Sequence, residues 1–178
     1  MTAERPVLPT RSALQVDVAE AEHVIAAVER AGLPGVGLLR PAHISLAYPW
    51  LEPDEALGSG PSLLSGLGAP AFPLRLAALR AFPARGRRTV LYLEPDDPEP
   101  LRDLAAALGI DTACYRPHLS VARLDHDVAR PSARAHVEAL VAPLLPVLAT
   151  VQTLTLRVQY EHRWWRVERT VQLGAPPG

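Results

Sequence analysis

One short pattern occurs twice in this chain, and it restricts the fold more than any other feature. Residues 41–47 read Pro-Ala-His-Ile-Ser-Leu-Ala, and residues 117–122 read Pro-His-Leu-Ser-Val-Ala. Both are short alternating runs opened by proline, the pattern of a strand with one buried face. In a strand, residues two apart share a face and lie about 6.6 Å from each other. His43 and Ser45 therefore point one way while Ile44 and Leu46 point the other, and His118 and Ser120 stand likewise against Leu119 and Val121. The apolar pair fastens each strand to a core, and the polar pair is displayed on the opposite surface. Two such strands predict two similar lobes whose displayed faces meet across a cleft.

The flanking segments agree with that plan. Ser12 to Val18 alternates as a strand, and from Glu20 the spacing turns helical, with Ala21, Val24, Ile25 and Val28 on one face and Gly32 where a helix ends. Ile44 to Trp50 reads as a short strand, and 53–70 as a weak helix or irregular loop broken by glycine and proline. Phe72 to Phe82 and Thr89 to Glu94 read as a hairpin. A helix follows over about Pro98 to Leu108, with Asp97 as cap and Gly109 closing it. After the His118 to Leu124 strand, Asp127 or Ser132 is placed to cap a helix running to about Ala142. Val147 to Tyr160 and Trp164 to Leu173 then read as two strands around Glu161-His-Arg, with only one of Trp164 and Trp165 able to face inward. The class is α+β, in one bilobal domain spanning 1–178 with residues 1–11 as a loose tail.

Composition narrows the partners. The net charge is −1, and all 18 basic residues are arginine, so no catalytic lysine is available. Gripping a long duplex takes a basic face that neutralises many phosphates. The only dense run, Arg80, Arg85, Arg87 and Arg88, reads as a solvated hairpin tip. The sole cysteine, Cys114, permits no disulfide and is read as a buried free thiol. No stretch reads as a membrane span or signal core, because Pro143 and Pro146 interrupt the most apolar segment; a cytoplasmic monomer is expected. Asp125-His126-Asp127 sits where a helix begins and reads as a turn rather than a metal site, and His23, His136 and His162 read as surface or helix residues.

Two histidines and two hydroxyls in one cleft suit phosphodiester chemistry. One imidazole, neutral near its ordinary pKa of about 6.5, takes the proton of the attacking oxygen while the other, protonated, supplies the leaving oxygen. Serine hydroxyls donate to the non-bridging oxygens, where charge gathers. Tyr48, Trp50, Tyr92 and Tyr115 stand near the motifs as candidates for stacking a base or for the core. Arg116 is the better of two flanking candidates for a phosphate, since Arg123 lies an odd number of residues from His118 and faces away if the strand is regular.

The paired motifs, together with Pro-Ala-His-Ile-Ser-Leu-Ala-Tyr-Pro-Trp, Val90-Leu-Tyr-Leu-Glu-Pro and the terminal Trp165-Arg-Val hairpin, resemble the 2H phosphoesterase superfamily, in its 2′-5′ RNA ligase or cyclic phosphodiesterase-like branch. The resemblance covers most of the chain. It implies a bilobal fold of two antiparallel-sheet lobes with outer helices around a central cleft, and catalysis with no metal or cofactor. It also implies His43 and His118 as the catalytic pair and Ser45 and Ser120 as phosphate binders, serine standing where threonine is commoner. The implied activity is hydrolysis of 2′,3′-cyclic phosphates of nucleotides or short RNA ends, or of a related small phosphodiester. The alternatives are 2′-5′ ligation in the same cleft and a non-catalytic module that binds nucleotides or RNA ends.

Overall fold

The computed structural model of the protein describes residues 8–161 and 165–174. Its strands are β1 (Pro9–Asp17), β2 (Val36–Leu38), β3 (His43–Ala47), β4 (Phe72–Ala81), β5 (Arg88–Pro95), β6 (Leu119–Asp125), β7 (Val147–Val151), β8 (Thr153–Tyr160) and β9 (Trp165–Gln172). The helices are α1 (Glu22–Arg30), α2 (Pro53–Gly58), α3 (Gly60–Ser65), α4 (Glu99–Ala107) and α5 (Ala133–Val141). All named strands pair antiparallel in the order β7-β4-β5-β6-β3-β1-β8-β9, and β2 adds to β6. This is the α+β class that the sequence implies.

The sheet has two halves, β7-β4-β5-β6 and β3-β1-β8-β9; outside the named strands Pro70 bridges Gly174, and the strands themselves join the halves through Ile44 with Leu119. Both residues are fully buried, as the alternation requires. They join one core cluster with Val24, Ile25 and Val28 of α1, Leu101 and Leu104 of α4, and Val137 and Val141 of α5. The sheet curls far enough that Val151, at the end of one half, is followed after one residue by Thr153 in the other. Ala71 at the start of β4 donates to the carbonyl of Gly174 just past β9 (2.7 Å).

Helix boundaries follow the local chemistry. Asp97 Oδ1 accepts the Glu99 N–H (3.0 Å) at the head of α4, and Gly109 closes that helix at a φ of 72°, a left-handed conformation that costs glycine little. Gly32, at a φ of 56°, does the same after α1.

Four expectations need correction. The Val147 to Tyr160 segment is two strands, because β7 pairs β4 while β8 pairs β1, so the chain leaves one half for the other at Gln152. β1 begins at Pro9, inside the segment read as a loose tail; Pro9 pairs with Tyr160 at a strand's first position, where a missing N–H is tolerated. Residues 53–70 contain two short helices, each with proline in its first turn. Cys114 is exposed, since it lies in the α4–β6 loop outside any paired element. The readings of His162 and Trp164 fall outside the described residues. Among the described residues no helix is long and apolar enough to cross a membrane.

Candidate active site

The two motifs converge where the halves join. Antiparallel pairing of Ile44 with Leu119 sets His43 across from Ser120 and Ser45 across from His118 in the register. The rings are held alike. Nδ1 of His43 lies 2.6 Å from the Pro41 carbonyl, and Nδ1 of His118 lies 2.8 Å from the Arg116 carbonyl. A carbonyl only accepts, so Nδ1 carries the proton in each ring and Nε2 keeps its lone pair in the neutral form. Neither ring has another hydrogen-bond partner among the described residues.

His118 has an aromatic wall. Phe82 and Tyr92 stack at 4.2 Å, and both stand T-shaped to the imidazole, at 4.8 Å and 5.5 Å. Arg116 lies 5.7 Å and 5.5 Å from the same two rings, and its Nη2 donates to Glu94 Oε1 (3.1 Å). Glu94 also accepts from Arg80 Nε (3.1 Å), and these bonds, Arg116 first, hold its carboxyl below the usual range. Burial pulls the pKa of His118 below its ordinary value; the carbonyl bond opposes this, while His43 and Arg116 add smaller repulsions. A neutral His118 is thereby favoured.

Tyr115 ties the motifs together. Its hydroxyl donates to the Ser45 carbonyl (3.0 Å), binding the loop before the second motif to the strand of the first, and burial pushes the phenol pKa well up. Tyr115→Phe deletes this bond while keeping the ring. It is expected to cost about 0.5–1.5 kcal/mol, read as a lower urea midpoint at unchanged slope.

A cavity of about 730 Å³ opens beside the first motif, lined by His43 and Ser45. His118 and Ser120, across the β3–β6 junction, lie outside its lining, and Arg116 instead borders a second cavity of about 410 Å³. Tyr48 stands at the larger cavity, half exposed and 5.9 Å from Trp165. Tyr92 is buried, and Trp50 is partly buried and packs on the core. Ser12 holds the segment after β3 through its carbonyl to Trp50 N (3.3 Å) and its hydroxyl to Leu51 N (3.0 Å), which turns Trp50 against Gly60, where a β-carbon would stand 3.3 Å from the indole.

Arg123 reverses its expected position. Leu91 pairs with Ala122 but Tyr92 with Ser120, so Val121 bulges, two consecutive residues are buried, and Arg123 lines the larger cavity. Arg11, Gln15 and Arg157, not singled out from the sequence, line it too. Their signal is strand alternation in β1 and β8 relative to the motif, usable only once pairing is known. Below them Asp17 accepts from Gln15 Nε2 (2.7 Å) and Thr155 Oγ1 (2.9 Å). The Asp125–Asp127 segment is a turn: Asp125 accepts the Asp127 N–H (3.1 Å), Asp127 pairs with Arg87 (2.6 Å), and His126 Nε2 lies 2.8 Å from Thr89 Oγ1.

The family profile of the 2′-5′ RNA ligase superfamily matches residues 13–163. Among solved structures, Escherichia coli LigT complexed with 3′-AMP is 20% identical over 94% of this chain and 99% of LigT, with a TM-score of 0.63. LigT complexed with phosphate is 20% identical over 93% of this chain and 98% of its own, with a TM-score of 0.62. TT0787 of Thermus thermophilus is 20% identical over 92% of this chain and 98% of its own, with a TM-score of 0.59. At these identities the likeness is one of fold. No curated protein matches the chain in sequence. Because the profile spans both His-x-Ser strands and most of the sheet that brings them together, the chain belongs to the 2′-5′ RNA ligase superfamily, the 2H phosphoesterases.

Proposed function

We propose that the chain is a metal-independent phosphodiesterase that opens 2′,3′-cyclic phosphates of nucleotides or short RNA ends. The observation that carries this reading is the placement of His43 and His118 on neighbouring strands at one junction, each with Nδ1 on a carbonyl and Nε2 without a partner among the described residues. LigT, of the same fold, is complexed with 3′-AMP and with phosphate in its solved structures, which supports a nucleotide phosphate as ligand.

Two arguments assign the roles. Burial keeps His118 neutral, so it is the base that takes a proton from water. The larger cavity adjoins His43 and has room for a nucleoside, so the leaving ribose oxygen lies on the His43 side and water attacks in line from the His118 side. As the new P–O bond forms, His118 Nε2 receives the water proton. As the ribose P–O bond breaks, protonated His43 gives its Nε2 proton to the leaving oxygen. Ser45 and Ser120, each opposite an imidazole, donate to the non-bridging oxygens. Exchange with solvent returns both rings to their starting states.

The test is the pH dependence of kcat/KM on 2′,3′-cyclic AMP. The profile is expected to be bell-shaped. Its acid limb reports protonation of His118 and should fall below about 6.5, the ordinary histidine value. Phe82→Ala admits water to the ring, weakens the desolvation and moves that limb upward. An acid limb above the ordinary value and unmoved in Phe82→Ala contradicts the assignment.

A further inference from the structure

The two cavities differ in charge balance. Around the smaller one every arginine has a carboxylate: Arg80 and Arg116 share Glu94, and Arg102 takes Glu99. Around the larger one stand Arg11, Arg40, Arg123 and Arg157, with Glu161 the one carboxylate of the lining among the described residues. Arg40 is neutralised by Glu22 (3.0 Å) and Glu29 (2.6 Å). Arg11 and Arg123 form no ion pair among the described residues; Arg11 donates to the Tyr48 hydroxyl (2.6 Å) and lies 5.9 Å from the centre of that ring. In a chain of net charge −1, this is a local excess of cation held in a concave, partly enclosed site.

Arg157 is the most informative of the set. Its side chain is 15% exposed, its Nε is buried without a hydrogen-bond partner, and its contact to Asp17 is long, at 3.5 Å. Asp17 spends its better contacts on Gln15 and Thr155. The Nε has no surface to offer a ligand, so the part of Arg157 left to meet an anion in the cavity is the guanidinium end, whose ion pair is long.

The strand register places these cations relative to the reacting centre. Ser45 lies opposite Gln15; along β1, Ala13 and Arg11 follow at two-residue steps, opposite Arg157 and Gln159 of β8. Arg157 is therefore about one two-residue step, ~7 Å of strand, from the Ser45 row, and Arg11 about two. That spacing suits a second phosphate on the same nucleoside as the reacting one, with Tyr48 and Trp165 flanking it.

We propose that this cavity is a second-phosphate subsite, in which Arg157 and Arg11 bind a phosphate on the 5′ side of the reacting ribose. The inference rests on the function proposed above and names its substrate class: a cyclic phosphate end that carries a 5′-phosphate, either free or as the link to a preceding nucleotide. It also fixes polarity, with the phosphate-bearing 5′ side over β1 and β8.

The experiment has a turnover arm and a binding arm. Turnover compares kcat/KM for adenosine 2′,3′-cyclic phosphate, its 5′-phosphorylated form and the dinucleotide ApA ending in a 2′,3′-cyclic phosphate. Binding compares 3′-AMP with adenosine 3′,5′-bisphosphate by calorimetry at two salt concentrations. The 5′-phosphorylated ligands are expected to gain roughly ten- to hundredfold, the size of a charge-assisted hydrogen bond, and more at low salt. Preference for the mononucleotide identifies a free 5′-phosphate as the source, and preference for the dinucleotide an RNA chain. Arg157→Gln and the exposed Arg11→Gln should each shrink the gain toward unity. Equal turnover and equal binding with and without the 5′-phosphate overturn the subsite, as does a gain untouched by both substitutions. A bisphosphate preference that both substitutions abolish, with no turnover of any cyclic substrate, upholds the subsite and overturns the hydrolytic function instead.

Discussion

His43→Ala and His118→Ala are each expected to lower kcat on 2′,3′-cyclic nucleotides by about 10²–10⁴, the range for loss of one positioned acid or base. The double variant should fall little further than the worse single one, because the two rings act as a unit and their effects are not additive. Fold loss is a separable explanation. Burial in the first motif is carried by Ile44 and Leu46 on the opposite face, so His43→Ala leaves the core cluster intact and should keep the wild-type urea midpoint. His118→Ala additionally loses its edge contacts with Phe82 and Tyr92, so its midpoint is measured alongside its rate. Either variant retaining activity within a few-fold of wild type contradicts the paired mechanism.

The second large effect is on stability. The named strands of the two halves pair at Ile44 and Leu119, and both side chains are fully buried. Ile44→Ala removes packed volume at that seam, where strands on either side fix the backbone and limit collapse. The expected cost is about 2–5 kcal/mol, against about 0.5–1.5 kcal/mol for Ile44→Val. Urea unfolding at constant slope measures both. The same seam sets His43 against Ser120 and Ser45 against His118, so the milder Ile44→Val variant, still folded, is the one in which to look for a reduced kcat. A cost below about 1 kcal/mol for Ile44→Ala would show that the seam is not a tightly packed joint.

The repeated His-x-Ser strands were legible because strand alternation is a local rule. The buried faces at Ile44, Leu46, Leu119 and Val121 follow from it directly. The ends of α1 and α4 were legible for a similar reason, since Asp97, Gly32 and Gly109 act on their own neighbours. The rest depended on pairing between distant segments. Nothing in Leu148-Ala-Thr-Val-Gln-Thr-Leu announces that the chain changes halves at Gln152, because both strands keep alternating. The bulge at Val121 is a mismatch with β5, so parity counted from His118 put Arg123 on the wrong face. The placement of Arg157 above Asp17 depends on β8 returning beside β1, some 140 residues away in the chain (Thr155 to Asp17 is a separation of 138). Trp50 and Tyr92 read equally well as core or as stacking platforms, because their neighbours, Gly60 for Trp50 and Phe82 for Tyr92, come from other segments of the chain. The arginines of the β4–β5 hairpin were read correctly as a solvated group: Arg80 and Arg87 pair with Glu94 and Asp127 at the surface.

In the proposed mechanism two histidines of this chain suffice for the chemistry. Its most direct test is turnover of 2′,3′-cyclic AMP in molar excess of chelator, followed by phosphorus NMR, for wild type beside the His43→Ala, His118→Ala double variant. Under that mechanism wild type converts the cyclic phosphate to a single monophosphate isomer at a rate the chelator does not change, and the double variant leaves it intact. Wild-type turnover abolished by chelation and restored by a divalent cation, or equal turnover by the double variant, would contradict it.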